Sequence, residues 1–289
     1  MKFKEKLKSG KFLITAELFP PKGTDISSFL RRASCLAELD AVNVTDNQRA
    51  SMRVGSLAMC KILIERGIEP VLQIAARDKN RIAIQSELLS ASVLGIENVL
   101  LISGDHPNAG EYAGAKTVYD LDTVQLIKTA RLLETGFDLA GKKLNGSPEF
   151  CVGAVVNPSA EPSDLQALMF EKKAKAGAEF FQTQAIFDVK QYKLFFDKIK
   201  HQDNCPNIKV LPGITLIKSV KFMEFLQALP GVSIPPEIQE RIKSSSDPLA
   251  EGMAICSEII KELRSFANGV HIMAIGMEEY IPEIIKGSE

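Results

Sequence analysis

Short apolar runs alternate along this chain with longer stretches whose apolar residues recur every third or fourth position. That is the pattern of strands buried on both faces separated by amphipathic helices. The first run starts at Phe12 and stops at Pro20-Pro21, where two residues without an N–H end a strand and turn the chain. Further strands are predicted over residues 41–45, 70–76, 98–102, 150–156, 180–184, 208–214 and 270–275. Helices are predicted between them: from an Asp25 cap to residue 39, then over 52–66, 80–94, 121–135, 163–175 and 189–199, several stopped by a glycine (Gly67, Gly95, Gly136, Gly177). Two short helices, 220–229 and 236–243, a long one over 248–266 and a last one to 285 complete the set. Residues 1–10 suit a short amphipathic helix with Phe3 and Leu7 on one face and Gly10 at its end.

Eight strands alternating with helices describe an α/β chain folded as a single (β/α)8 TIM barrel over residues 1–289. The competing fold is a doubly wound open sheet. No Gly-x-Gly-x-x-Gly follows the first strand and no Walker sequence occurs, which counts against nucleotide sites of those kinds.

Composition narrows the reading. The chain carries 45% hydrophobic and 25% charged residues with a net charge of -1, an ordinary water-soluble profile with no footprint for nucleic acid. The cysteines (Cys35, Cys60, Cys151, Cys205, Cys256) are scattered without a Cys-x-x-Cys pair, which points to a reducing compartment. The Lys-rich start lacks the apolar core of a secretory signal, and no stretch has membrane length. The expectation is a cytoplasmic protein with no membrane partner, its self-association left open.

In a barrel the C-terminal strand ends share one mouth. Here they carry Glu17, Asn43 with Thr45, Gln73, Ser103-Gly104-Asp105, Asn157, Gln182 with Gln184, and His271. A carboxylate in a strand buried on both faces loses hydration, so Glu17 should hold its proton more tightly than usual; the alternatives are an edge position or a pair with Lys22. The three histidines, His106, His201 and His271, lack metal-ligand spacing, so no metal site is expected. His271 suits a hydrogen-bonded core position and His201 a solvated one. No Ser-His-Asp or Cys-His arrangement stands out, and no strand presents a Schiff-base lysine at its exit. Two carboxylates, Glu17 and Asp105, remain in a mouth of amides and hydroxyls, fit to orient a heteroaromatic ligand and move a proton. Redox chemistry would require a cofactor.

Glu17-Leu-Phe-Pro-Pro-Lys22, Asn43-Val-Thr45, Ser103-Gly-Asp-His-Pro107, Ala176-Gly-Ala178, Phe180-Phe-Gln-Thr-Gln-Ala-Ile-Phe-Asp188, Pro212-Gly-Ile214 and Val232-x-Ile-Pro235 resemble, in matching order, the methylenetetrahydrofolate reductase family. The resemblance covers the family's catalytic barrel, with no room for the regulatory domain of animal members. It implies a cytoplasmic FAD flavoprotein of one-carbon metabolism and methionine biosynthesis that reduces 5,10-methylenetetrahydrofolate to 5-methyltetrahydrofolate by hydride transfer from flavin N5. It implies Glu17 as general acid, Asp105 near flavin and pterin, and Gln184 on the folate. Thr45, Ser103, Gly104, Tyr119 and Lys173 match flavin-contact positions. Gln73 and Asn157 stand where well-studied bacterial members use histidine. Lys172 replaces an arginine near the flavin phosphates, keeping charge but not bidentate geometry. Val220 stands where NADH-using members carry a stacking phenylalanine, and Ile275-Gly-Met277 replaces a segment with a substrate-holding arginine. The electron donor is therefore either NADH or a partner protein, the second making the chain a flavin-bearing subunit of a larger electron-transfer complex.

Overall fold

The computed structural model describes residues 1–200, 208–229 and 231–289. His201 and Cys205 lie outside them. Parallel strands β1 (Leu13–Leu18), β2 (Ala41–Val44), β3 (Pro70–Ala75), β4 (Asn98–Ile102), β5 (Cys151–Val156), β6 (Phe180–Ala185), β7 (Lys209–Thr215) and β8 (Gly269–Met273) pair in chain order and close into a barrel, β8 returning to β1. The chain is thus the (β/α)8 barrel that the alternation predicts.

Helices clothe it: α1 (Phe3–Lys8), α2 (Ser27–Ser34), α3 (Ser56–Ile64), α4 (Arg81–Val93), α5 (Thr123–Glu134), α6 (Ser163–Ala176), α7 (Val189–Lys200), α8 (Val220–Gln227), α9 (Pro236–Ser244), α10 (Pro248–Leu263) and α11 (Ile281–Gly287). Local chemistry sets several boundaries. The Asn80 side chain accepts from the N–H groups of Ile82 and Ala83 to start α4, and Asp122 with Gln125 forms a reciprocal capping box on α5. Gly177, at φ 117°, ends α6 where a side chain would strike Arg131.

Two helices are shorter than the periodicity predicts. Asp25 accepts from Ser27 N–H in a turn, and α2 begins only at Ser27. Before α3, Asn47, Arg49 and Ala50 all take left-handed backbone angles, which residues with a Cβ adopt only when neighbours hold them there.

Between sheet and helices lies the large apolar core, containing Leu18, Phe29, Ile74, Leu101, Phe181 and Ile272 among others. Inside the barrel the pairing register stacks side chains in tiers. The N-terminal tier is a separate apolar cluster of Leu13, Ala41, Val71, Leu100, Cys151, Phe180 and Leu211. α1 seals it: Phe3 and Leu7 are buried, and the Phe3 ring meets Phe180 edge-on at 5.3 Å. The short amphipathic helix expected at the start is thus a plug for the barrel's N-terminal end.

Candidate active site

Above that plug the barrel interior turns polar. Thr15, Asn43, Gln182 and His271 are all buried and form one network. Asn43 Nδ2 donates to Gln182 Oε1 at 2.6 Å, and Gln182 Nε2 lies 3.1 Å from both Asn43 Oδ1 and His271 Nδ1. Thr15 Oγ1 is 3.0 Å from the same histidine nitrogen. Burial holds His271 far below its ordinary value, to about 3, so the ring is neutral. His271 is the hydrogen-bonded core histidine foreseen, and it also helps floor the cavity above.

That cavity, about 390 Å³, opens at the C-terminal strand ends. It is lined by Glu17, Thr45, Gln73, Ser103, Gly104, Asp105, Asn157, Lys173 and Gln184, residues named from the sequence and drawn from six strand ends and α6. Tyr119 stands at the rim, its hydroxyl donating to Gly104 O at 3.1 Å, and Lys172 is exposed on α6; neither lines the cavity.

Glu17 projects from the C-terminal end of β1 into this space. Its side chain is half-buried by exposure, because the cavity leaves it reachable, yet protein surrounds the carboxyl and strips it of bulk water. Gln73 Nε2 donates to Glu17 Oε2 at 3.3 Å. Desolvation raises the carboxyl to about 7; the Gln73 hydrogen bond opposes the rise, and the carboxylates of Glu278 and Asp105 add to it. Glu17 does not pair with Lys22, which is engaged by Glu111.

Asp105 is exposed at the mouth, its Oδ2 accepting from Arg49 N–H at 2.9 Å. Gly104 holds φ 81°, and a Cβ there would come within 3.0 Å of Ala75 Cβ and 3.2 Å of Arg77, so only glycine lets this turn pack so closely. Lys173 donates from Nζ to Val155 O at 2.7 Å, and burial lowers its hold on the proton, with Asp122 partly offsetting this. Gln184 reaches the mouth where β6 and β7 slip register between Gln182 and Ala185.

The sequence reading missed Arg77, Asp46 and Glu278. Arg77 is 1% exposed and lines the cavity. Its guanidinium forks onto Asp78 at 2.9 and 2.7 Å and donates to Asp105 O and Asn47 O, tying the loops after β2, β3 and β4 together. Asp46 accepts from Ala75 N–H at 3.0 Å and pairs with Lys79. An arginine directly behind an apolar strand was the available signal for Arg77; Glu278 had none. Val220 is half-buried at the first turn of α8, packed on the outer core and not in the cavity, and Met277 likewise packs on that core.

A family model described as methylenetetrahydrofolate reductase matches residues 2–289. Methylenetetrahydrofolate reductase 2 of Schizosaccharomyces pombe is 24% identical over 301 residues, covering 98% of this chain and 46% of that protein. The 5,10-methylenetetrahydrofolate reductase of Pectobacterium carotovorum is 25% identical over 236 residues, 78% of this chain and 71% of its own length. This chain thus spans about half the length of the yeast relative. Among solved structures, an uncharacterized protein from Clostridium thermocellum that binds two copies of 5-methyl-5,6,7,8-tetrahydrofolic acid superposes with a TM-score of 0.71 at 18% identity, over 99% of this chain and 95% of that one. A 2,3-dimethylmalate lyase superposes with a TM-score of 0.51 at 11% identity, over 95% of this chain and 81% of that one. At such identities these structures speak to the barrel fold alone.

Proposed function

The chain belongs to the methylenetetrahydrofolate reductase family, and on that premise we propose that it reduces 5,10-methylenetetrahydrofolate to 5-methyltetrahydrofolate with Glu17 as the general acid. One observation carries the reading: a carboxyl that the cavity keeps reachable yet strips of bulk water, with its proton held up to about 7. Such a group delivers a proton near neutral pH, as opening the methylene bridge of the substrate requires. Gln73 holds one carboxyl oxygen and so orients the other toward the cavity. Gln184 and Asp105 stand at the mouth as hydrogen-bonding groups for the pterin.

The wall also suits FAD. Lys173 is a half-buried ammonium that, among the described residues, donates to a single carbonyl, a donor set with capacity left for an anion, and Gly104 lines the same wall. Thr45, Gln73, Ser103, Gly104, Asn157 and Lys173 would hold the cofactor, with Tyr119 at the rim. When bound, the flavin supplies the hydride.

Replacing Glu17 by Gln tests the assignment. The variant should keep flavin absorbance and lose turnover by about 100-fold or more, the usual scale for removing a general acid. Unchanged turnover refutes the role.

A second reading concerns the donor. Val220 is aliphatic, so this position offers no aromatic surface on which a nicotinamide ring could stack. This favours reduction by a partner protein over direct use of NADH. Anaerobic mixing with NADH decides between them: a flavin that stays oxidised with NADH, yet is reoxidised by methylenetetrahydrofolate after chemical reduction, fits a partner-fed subunit. Rapid bleaching by NADH refutes it.

A further inference from the structure

Behind Glu17 lies an ion pair that the mechanism above does not use. Glu278, in the short turn after β8, is 0% exposed. Its Oε2 accepts from Arg32 Nη1 at 3.3 Å and its Oε1 from Gly276 N–H at 3.0 Å. Arg32, reaching in from α2, also donates from Nη2 to Phe19 O at 3.3 Å, two residues beyond Glu17 and just past the end of β1. One guanidinium therefore fastens the exit of β1 to the exit of β8, the pair of strands that closes the barrel.

The turn carrying Glu278 is built under tension. Ile275 takes φ 50°, an angle that a β-branched residue adopts only when its surroundings impose it, and Gly276 follows at 86°. Lys218 Nζ holds the Ile275 carbonyl at 3.0 Å, while Glu278 holds the next N–H. A buried ion pair could be exchanged for apolar groups at little cost in stability, so stability alone does not account for it.

We infer that the Arg32–Glu278 ion pair is a positioning clasp for Glu17, setting where its carboxyl stands and the charge that faces it. The inference deepens the proposed function and rests on Glu17 being the proton donor. Gln73 from β3 touches Glu17, and the charges of Glu278, in the turn after β8, and of Asp105, in the loop after β4, reach it through space. Asp46, Arg77, Lys173 and the neutral His271 complete the cavity's titratable lining. Of the two carboxylates, Asp105 is exposed at the mouth, whereas Glu278 is fully enclosed and acts across protein rather than water.

The test is the pH dependence of turnover in the flavin-loaded protein, beside a ¹³C NMR titration of the Glu17 carboxyl. Glu278→Gln keeps the shape and the acceptor for Gly276 N–H but deletes the anion and leaves the Arg32 cation uncompensated. Both midpoints should move acidward by about 1 pH unit. The double variant Arg32→Met with Glu278→Gln carries neither charge; its midpoint should stay acidward of the parent, since the Glu278 carboxylate and not Arg32 bears on Glu17, with turnover several-fold lower because Phe19 O has lost its anchor. An unmoved Glu17 carboxyl midpoint in Glu278→Gln overturns the clasp, and so does a double variant whose carboxyl midpoint equals that of the parent. If only the double variant folds, unchanged turnover overturns it. If the Glu17 titration moves as expected while the pH profile of turnover does not, the clasp stands and the proton-donor role of Glu17 falls.

Discussion

At its N-terminal end the barrel turns Leu13, Ala41, Val71, Cys151, Phe180 and Leu211 inward and seals them under Phe3 and Leu7. At its C-terminal end the same strands turn Glu17, Thr45, Gln73, Asn157 and Gln184 into an open cavity. The network of Thr15, Asn43, Gln182 and His271 lies between them. Apart from the slip between β6 and β7 at the mouth, the contrast is one of side chains. The dry end can be optimised for packing, because nothing has to enter it. The wet end must leave polar groups under-solvated, and the raised proton affinity of Glu17 is the outcome. The enclosed polar network separates the two, since each of its members finds a partner without water.

Four changes would break or sharpen that contrast. Phe3→Ala strikes the dry end and should cost about 3–5 kcal/mol, because it empties a fully enclosed aromatic site. Urea unfolding measures the loss, and the pH profile of the surviving folded protein should be unmoved if the ends are independent. Gln182→Leu removes the hub of the middle tier and leaves Asn43 and His271 short of partners. It should cost about 2–3 kcal/mol in the same assay.

Glu17→Gln should act with the opposite sign. The folded chain holds the Glu17 proton up to about 7 against an ordinary value of 4.5, so it binds more protons than the unfolded chain between those limits. Wild-type stability is therefore lost as pH rises through that window. The Gln variant, which does not titrate, should be more stable by about 1–2 kcal/mol at pH 8, and this advantage should fade below pH 4.5. The lower end is favoured because the cavity admits some water. A pH-independent difference would contradict the assignment. Least of all, Tyr119→Phe removes one rim hydrogen bond and should shift stability by about 0.5 kcal/mol, visible only as a small change in thermal midpoint.

The barrel was legible because apolar runs, proline stops and glycine caps agree with one another along the chain. The mouth was legible because polar residues at strand ends, Glu17, Gln73 and Asn157 among them, stand out against Val, Ile and Leu. Other parts were not. The left-handed run at Asn47, Arg49 and Ala50 contains no glycine, so nothing local announced it; Asp105 and Arg77 impose it from other loops. Glu278 escaped for the same reason, since its significance depends on Arg32, remote in sequence and adjacent only once β8 meets β1. Lys172 and Lys173 show how one step along a helix divides two like charges: the turn of α6 leaves the first facing solvent while the second points inward.

The plug at the dry end has a kinetic side. Phe3 precedes in the chain every strand that forms its seat, and its aromatic partner Phe180 lies on β6. Such a contact closes a long loop, so it has little to gain until most of the barrel exists around it. α1 should therefore dock among the last steps of folding. Amide exchange would show its protons trading with solvent well before those of β1, making this helix the fuse through which the molecule first comes undone.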